Sequence, residues 1–132
     1  MASTTPGQTN LGMDPKIAGL LCYVPCCLGF VFSVVAAIVE KTSRFVRFHA
    51  FQSLLLHGAG IVVLLVLWFL QVLLTIVGLG AVGMLVWLTQ MVVVVALMAV
   101  SVIMLIKANS GEEFALPVIG EMARKWVSSS AA

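Results

Sequence analysis

Residues 17–39 read IAGLLCYVPCCLGFVFSVVAAIV, an uninterrupted apolar run held between Lys16 and the pair Glu40-Lys41. A helix needs about 20 predominantly apolar residues to cross the hydrocarbon of a bilayer, so the run reads as one permanent span with a slight tilt. Pro25 is expected to bend it, because its ring removes one backbone N–H, and neighbouring groups then re-satisfy the freed carbonyl. At 100° per residue, Gly19, Cys22, Cys26, Gly29, Ser33, Ala37 and Glu40 share one face. Within it Gly29, Ser33 and Ala37 have the small-xxx-small spacing that lets a second helix approach closely in lipid. Whether this run crosses once decides the number of spans and the side on which each end of the chain lies.

The composition agrees with a membrane setting. Of 132 residues 62% are hydrophobic, and the mean hydropathy is +1.19, beyond the roughly 45–50% apolar content of soluble domains. A formal charge of +2 without a basic stripe is too small to suggest nucleic-acid binding, and no nucleic-acid partner is expected; the bilayer is the expected surrounding. Residues 1–16 lack both a positive n-region and an apolar h-region, so no cleavable signal is expected. Ala2 stands where myristoylation needs glycine, and the closing SSSAA has no prenylation cysteine. Cys22, Cys26 and Cys27 form CYVPCC, which offers no CxxC pair, and they read as small packing residues with no bound metal or cofactor.

No charged residue occurs between Ala50 and Ile106. Two spans fit that interval, from about His49 to Ile76 and from about Met84 to Ile106, with a break in IVGLGAVG, residues 76–83. The stretch before the second span, SRFVRFHAFQSLLLHG at 43–58, gathers unusually many polar groups. On a helix Arg44, Arg47 and Phe51 point one way, where the arginines reach lipid phosphates. His49, Gln52, Ser53 and His57 point the other way, in line with Gln71 and Thr75, and should meet the small-residue face of the first span. Gln90 and Ser101 align on the third span as further interior partners.

The expected fold is an all-α integral membrane protein, a bundle of three transmembrane helices with four as the alternative, plus a short C-terminal amphipathic helix in the interface. Residues 1–15 form a polar tail, 16–127 one membrane domain and 128–132 a flexible tail. Lys41, Arg44, Arg47, Lys107, Arg124 and Lys125 then lie on one side and Lys16 alone on the other. The positive-inside rule makes the 40–49 loop and the C-terminus cytoplasmic in a multi-pass protein of the inner membrane, with the N-terminus outside. In GEEFALPVIGEMARKW, residues 111–126, Pro117 suits a first helical turn, and Val118, Ile119, Met122 and Trp126 make an apolar face. Glu112, Glu113 and Glu121 are placed within reach of Arg44 or Arg47. LPVIG should cover His49 and Gln52, which hold the start of the second span.

RFHAFQS at 47–53 and LPVIGEMA at 116–123 are the most specific parts of a likeness running over residues 16–125. In these motifs the chain resembles the bacterial relatives of the Tic-twenty family, whose plastid members belong to the import translocon of the inner chloroplast envelope. The resemblance implies a non-enzymatic helical membrane protein linked to protein translocation, working within a larger membrane complex or as a homo-oligomer. It highlights Arg44, Arg47, His49, Gln52, Ser53, His57, Pro117 and Gly120 as motif residues and supplies no catalytic ones. The rival reading is a small transporter or channel with a polar seam of His49, His57, Gln71 and Gln90. An enzyme is not expected, since GxSxG, HExxH and paired carboxylates are missing, and two histidines are too few to hold a metal.

Overall fold

The computed structural model describes residues 9–25 and 27–131. In it the first apolar run is two helices, α1 (Pro15–Leu21) and α2 (Cys27–Val39). Asp14 starts α1 by accepting from the Lys16 N–H at 2.8 Å, with Pro15 in the first turn where no N–H is needed. The helix ends in tightened i→i+3 bonds, Tyr23 N–H to Leu20 and Val24 N–H to Leu21, ahead of Pro25, which has no N–H to give Leu21.

The chain then turns back. At the inner end the Ser33 hydroxyl lies 3.1 Å from the Cys22 carbonyl, and at the outer end the Asn10 N–H donates to Glu40 Oε2 at 2.8 Å. α1 and α2 are therefore the arms of an antiparallel hairpin. With 7 and 13 residues, they are about 10 and 20 Å long at 1.5 Å per residue, and neither reaches across about 30 Å of hydrocarbon. This corrects the expected three-span bundle and its four-span alternative: two helices are long and apolar enough to cross a membrane.

Those two are α3 (Arg44–Ile76, 33 residues) and α4 (Gly80–Asn109, 30 residues). α3 begins five residues before the expected His49, because Ser43 caps the Val46 N–H at 3.3 Å. Its end is a Schellman motif: Leu79 N–H bonds Leu74 and Gly78 N–H bonds Thr75, with Gly78 at φ +81°. The turn is thus shorter than the one read from sequence, and α4 starts at Gly80 instead of Met84. α4 closes in the same way, through Glu112 to Lys107 and Gly111 to Ala108, with Gly111 at φ +82°.

The last helix, α5 (Ile119–Ala131), packs on the start of α3. It includes residues 128–131, expected as a flexible tail. Its packed face is Ala123 and Val127 against Phe48, whereas Val118, Met122 and Trp126 of the expected face are 70%, 40% and 44% exposed. At a lipid interface the bulky apolar side chains face hydrocarbon and the small ones admit the neighbouring helix.

α1, α2, α5 and the last turns of α4 surround the first half of α3 as a collar. Its core is Ala18, Cys22, Tyr23, Ala36, Val46, Ala50, Leu56, Met104 and Ala108. Beyond Gly60 the outer parts of α3 and α4 pair alone, and among residues 61–100 only Gly83 is buried. Every charged residue of the chain lies at the collar end. The Asn10 contact brings the start of the described residues there too, so Lys16 joins the other basic residues at that end, where it was expected alone at the opposite one.

Candidate functional site

The collar holds one connected set of polar side chains. His49, fully buried on α3, points Nε2 at the Glu112 carbonyl, 3.0 Å away, and Nδ1 at the Tyr23 hydroxyl, 3.1 Å away. A carbonyl only accepts, so Nε2 carries the proton. Gln52 accepts from the Leu116 N–H at 2.8 Å through Oε1, which fixes its amide, and Nε2 donates to the Phe114 carbonyl at 3.0 Å and to the Tyr23 hydroxyl at 2.8 Å. Tyr23 must then donate onward to His49 Nδ1. With His49 as the Nε2–H tautomer, every donor and acceptor of the three side chains is matched.

Three pieces of chain are joined by this network: the hairpin tip through Tyr23, α3 through His49 and Gln52, and the 112–116 segment through its backbone. The sequence reading placed His49 and Gln52 under LPVIG; the structure seats Gln52 on Leu116, the first residue of that stretch, and on Phe114, and His49 on Glu112 a little before it. Phe45 and Phe48 flank the imidazole, with ring centres 4.5 and 5.2 Å away.

A second cluster closes the hairpin tip. The Cys22 carbonyl accepts from Ser53 of α3. The Ser33 hydroxyl lies 3.1 Å from that carbonyl, 2.9 Å from Ser53 Oγ and 2.7 Å from the Gly29 carbonyl. Gly29, Ser33 and Ala36 are buried, and the expected Ala37 is half-buried and packed against the core. His57 bonds back to Ser53 through Nδ1, 2.9 Å from the carbonyl. It lines an apolar cleft of about 290 Å³ with Cys27, Phe30, Leu97 and Ser101.

A third cluster ties the first described residues to the turn before α3. Glu40 is fully buried; its carboxylate accepts from the N–H groups of Asn10, Thr42 and Ser43 at 2.8–2.9 Å. Asn10 Oδ1 accepts from Lys41 N–H at 2.7 Å and from the Thr42 hydroxyl at 2.8 Å. Glu40→Gln exchanges one acceptor oxygen for an amide N–H in a pocket of donors. It should lower stability by about 1–2 kcal/mol, read as an earlier thermal unfolding midpoint in detergent.

The charged motif residues divide. Arg44 is exposed, but Arg47 is only 6% exposed, with its guanidinium 5.9 Å from the Phe51 ring centre, not among lipid phosphates as expected. Of the acidic residues expected to face these arginines, Glu112 pairs with Lys107 at 3.0 Å. Pro117 precedes α5, and Val118 is the centre of a γ-turn at φ +65° with Ile119 N–H bonded to the Pro117 carbonyl at 2.7 Å. A β-branched residue is strained there. Val118→Gly should therefore raise stability by about 1 kcal/mol, measured as a later unfolding midpoint. Gly120 is required, since a Cβ would stand 2.4 Å from the Ala115 Cβ.

The polar seam of the transporter reading is not assembled. His57 sits at the hairpin tip, Gln71 turns toward Gly83 near the far loop, and Gln90 lies beside Ile61, Leu64, Leu65 and Trp68. Nor do the described residues contain three His, Cys, Asp or Glu side chains grouped to hold a metal. Sequence reasoning missed Tyr23, Asn10 and Glu40. Tyr23 carries a signal, as the single tyrosine of the chain set in an apolar run, where its hydroxyl demands a partner.

Comparison with known proteins places this geometry. Residues 13–123 match the magnetosome magnetite crystal formation protein family, MamF/MmsF. A UPF0132 membrane protein of Methanocaldococcus jannaschii is 36% identical over 120 residues, covering 91% of this chain and 94% of the relative. A second from that organism is 27% identical, covering 88% and 72%, and one from Archaeoglobus fulgidus is 32% identical, covering 87% and 97%. No solved structure matches the chain. The family match spans both motifs that suggested a Tic-twenty relationship, and it overturns that assignment. The collar, its buried polar network and the paired apolar helices are those of an all-helical membrane protein, and the chain belongs to the MamF/MmsF family.

Proposed function

We propose that the protein is a non-enzymatic component of the inner membrane that acts by assembling within the bilayer, its collar facing the cytoplasm. The observation that carries this is the use of the buried polar groups. Both ring nitrogens of His49, both amide atoms of Gln52 and the Tyr23 hydroxyl are spent on one another and on backbone. A site for chemistry or transport keeps a donor, an acceptor or a proton route available to a substrate, and this network ends on carbonyls. The collar serves as a rigid platform for two membrane helices.

Orientation is supported by the gathering of all seven basic residues at the collar end, which the positive-inside rule turns toward the cytoplasm. The family description refers to magnetite crystal formation. What this chain shares with it on physical grounds is a membrane-embedded body. The acidic residues are dispersed around the collar, and Glu40 and Glu112 are engaged by partners of this chain.

Two measurements test the reading. In native membranes solubilised mildly, the protein should migrate as an assembly well above its 14.1 kDa; a monomer at every protein concentration would contradict it. Proteoliposomes under an imposed pH gradient should leak no faster than empty vesicles. A proton flux that His57→Ala abolishes would replace assembly with transport.

A further inference from the structure

The outer part of the α3–α4 hairpin contains few polar side chains, and most are bonded to their own helix. Thr75 bonds the Gln71 carbonyl at 2.9 Å, Thr89 bonds the Leu85 carbonyl at 3.0 Å, and Gln71 Nε2 reaches the Thr75 hydroxyl at 3.5 Å. Gln71 Oε1 has no partner, but it is enclosed against Gly83 and inaccessible. Gln90 differs: its amide makes no hydrogen bond with the described chain and borders a shallow groove of about 400 Å³ that opens outward. Trp68, 55% exposed, lines the same groove, and its indole N–H also has no partner among the described residues.

Gln90 is ten residues past Gly80, the start of α4, which places it about 15 Å inside the far face, near the middle of about 30 Å of hydrocarbon. Acyl chains offer an amide nothing, and an unsatisfied polar group there costs several kcal/mol.

We propose that the Gln90 groove binds a second copy of this chain, amide against amide. The proposal rests on the assembly reading and names its partner and surface. A primary amide is donor and acceptor at once, so two of them pair through reciprocal N–H···O bonds. Depth favours the same partner. With every charge at one end, two copies insert in the same orientation, related by a two-fold axis along the membrane normal. That symmetry sets Gln90 opposite Gln90 at one depth without further adjustment. An unrelated protein needs a polar side chain at that same level. The rest of the groove, Ile61, Leu64 and Leu65, supplies the apolar contact that surrounds an interhelical hydrogen bond in lipid.

The test is oxidative cross-linking in proteoliposomes of the full chain carrying Cys26→Ala and Cys27→Ala. Gln90→Cys should form a disulfide dimer several-fold faster than Val92→Cys or Val95→Cys, which sit on other sides of α4 and are each 68% exposed. In energy-transfer measurements on otherwise unchanged protein, Gln90→Leu should weaken dimerisation about tenfold and Gln90→Asn less, the range of interhelical side-chain hydrogen bonds. The thermal midpoint of Gln90→Leu as a dilute monomer in detergent should be unchanged, because the amide bonds nothing among the described residues. Equal cross-linking at the three positions, or a Gln90→Leu dimer as tight as the parent, overturns the proposal. If the protein still migrates as a large assembly after that result, the assembly reading stands with a different interface.

Discussion

Gly29→Ala is expected to prevent normal folding, although it adds one methyl group. The new Cβ would lie 2.1 Å from the Val24 carbonyl oxygen and 3.0 Å from the Val24 carbonyl carbon, so backbone at the tip of the hairpin has to move. That backbone is held by the bonds of Ser33 and Ser53 to Cys22, and the clash cannot be relieved by turning a side chain. Overpacking a tight site costs about 1–3 kcal/mol and sometimes more; a collision with fixed backbone belongs at the upper end or above it. Gly58→Ala is the control, as its Cβ meets nothing within 4 Å. On α3 that change should be neutral or stabilising by about 0.5–1 kcal/mol. Thermal unfolding of both variants in one detergent measures the contrast.

Gln52→Leu is expected to be the most damaging change in the buried polar network. It keeps the approximate volume but deserts the Leu116 N–H, the Phe114 carbonyl and the Tyr23 hydroxyl together. Each buried group left unsatisfied costs about 1–3 kcal/mol, and a loss of about 3–4 kcal/mol is expected after partial relaxation. The loss has a local signature, because Phe114 and Leu116 belong to the segment that carries α5. Hydrogen exchange at residues 112–120 should accelerate before that of α4. Gln52→Glu tests the same contacts, since it retains the acceptor for Leu116 and removes the donor.

The sequence made α3 and α4 legible. The charge-free interval from Ala50 to Ile106 and the glycines in 76–83 leave room for two crossings and one turn. Gly29, Ser33, His49, Gln52 and Ser53 stood out, because small residues at helical spacing and polar groups in apolar surroundings both have few uses in lipid. The hairpin was not legible. Residues 17–39 meet the length criterion for a span, and nothing local distinguishes a helix bent at Pro25 from one that reverses there. The decision is made far away in sequence, where Asn10 meets Glu40 and where Ser53 of α3 bonds the Cys22 carbonyl. α5 was legible as an amphipathic interfacial helix, and its bulky Val118, Met122 and Trp126 do look outward; the small face it turns to the protein, Ala123 and Val127 on Phe48, carries no such signal in the sequence.

The reversal of residues 15–39 is the centre of the account, and the sidedness of the chain tests it most directly. A peptide tag at the N-terminus, a second at the C-terminus and single cysteines at Lys41 and Leu79 should be probed in sealed vesicles of known orientation, by protease and by an impermeant thiol reagent. The expected result is that both tags and Lys41→Cys respond from the same side, the cytoplasmic one, and that Leu79→Cys, in the turn between α3 and α4, responds from the other. An N-terminal tag that responds together with Leu79→Cys would mean that residues 17–39 cross the membrane, and would contradict the hairpin.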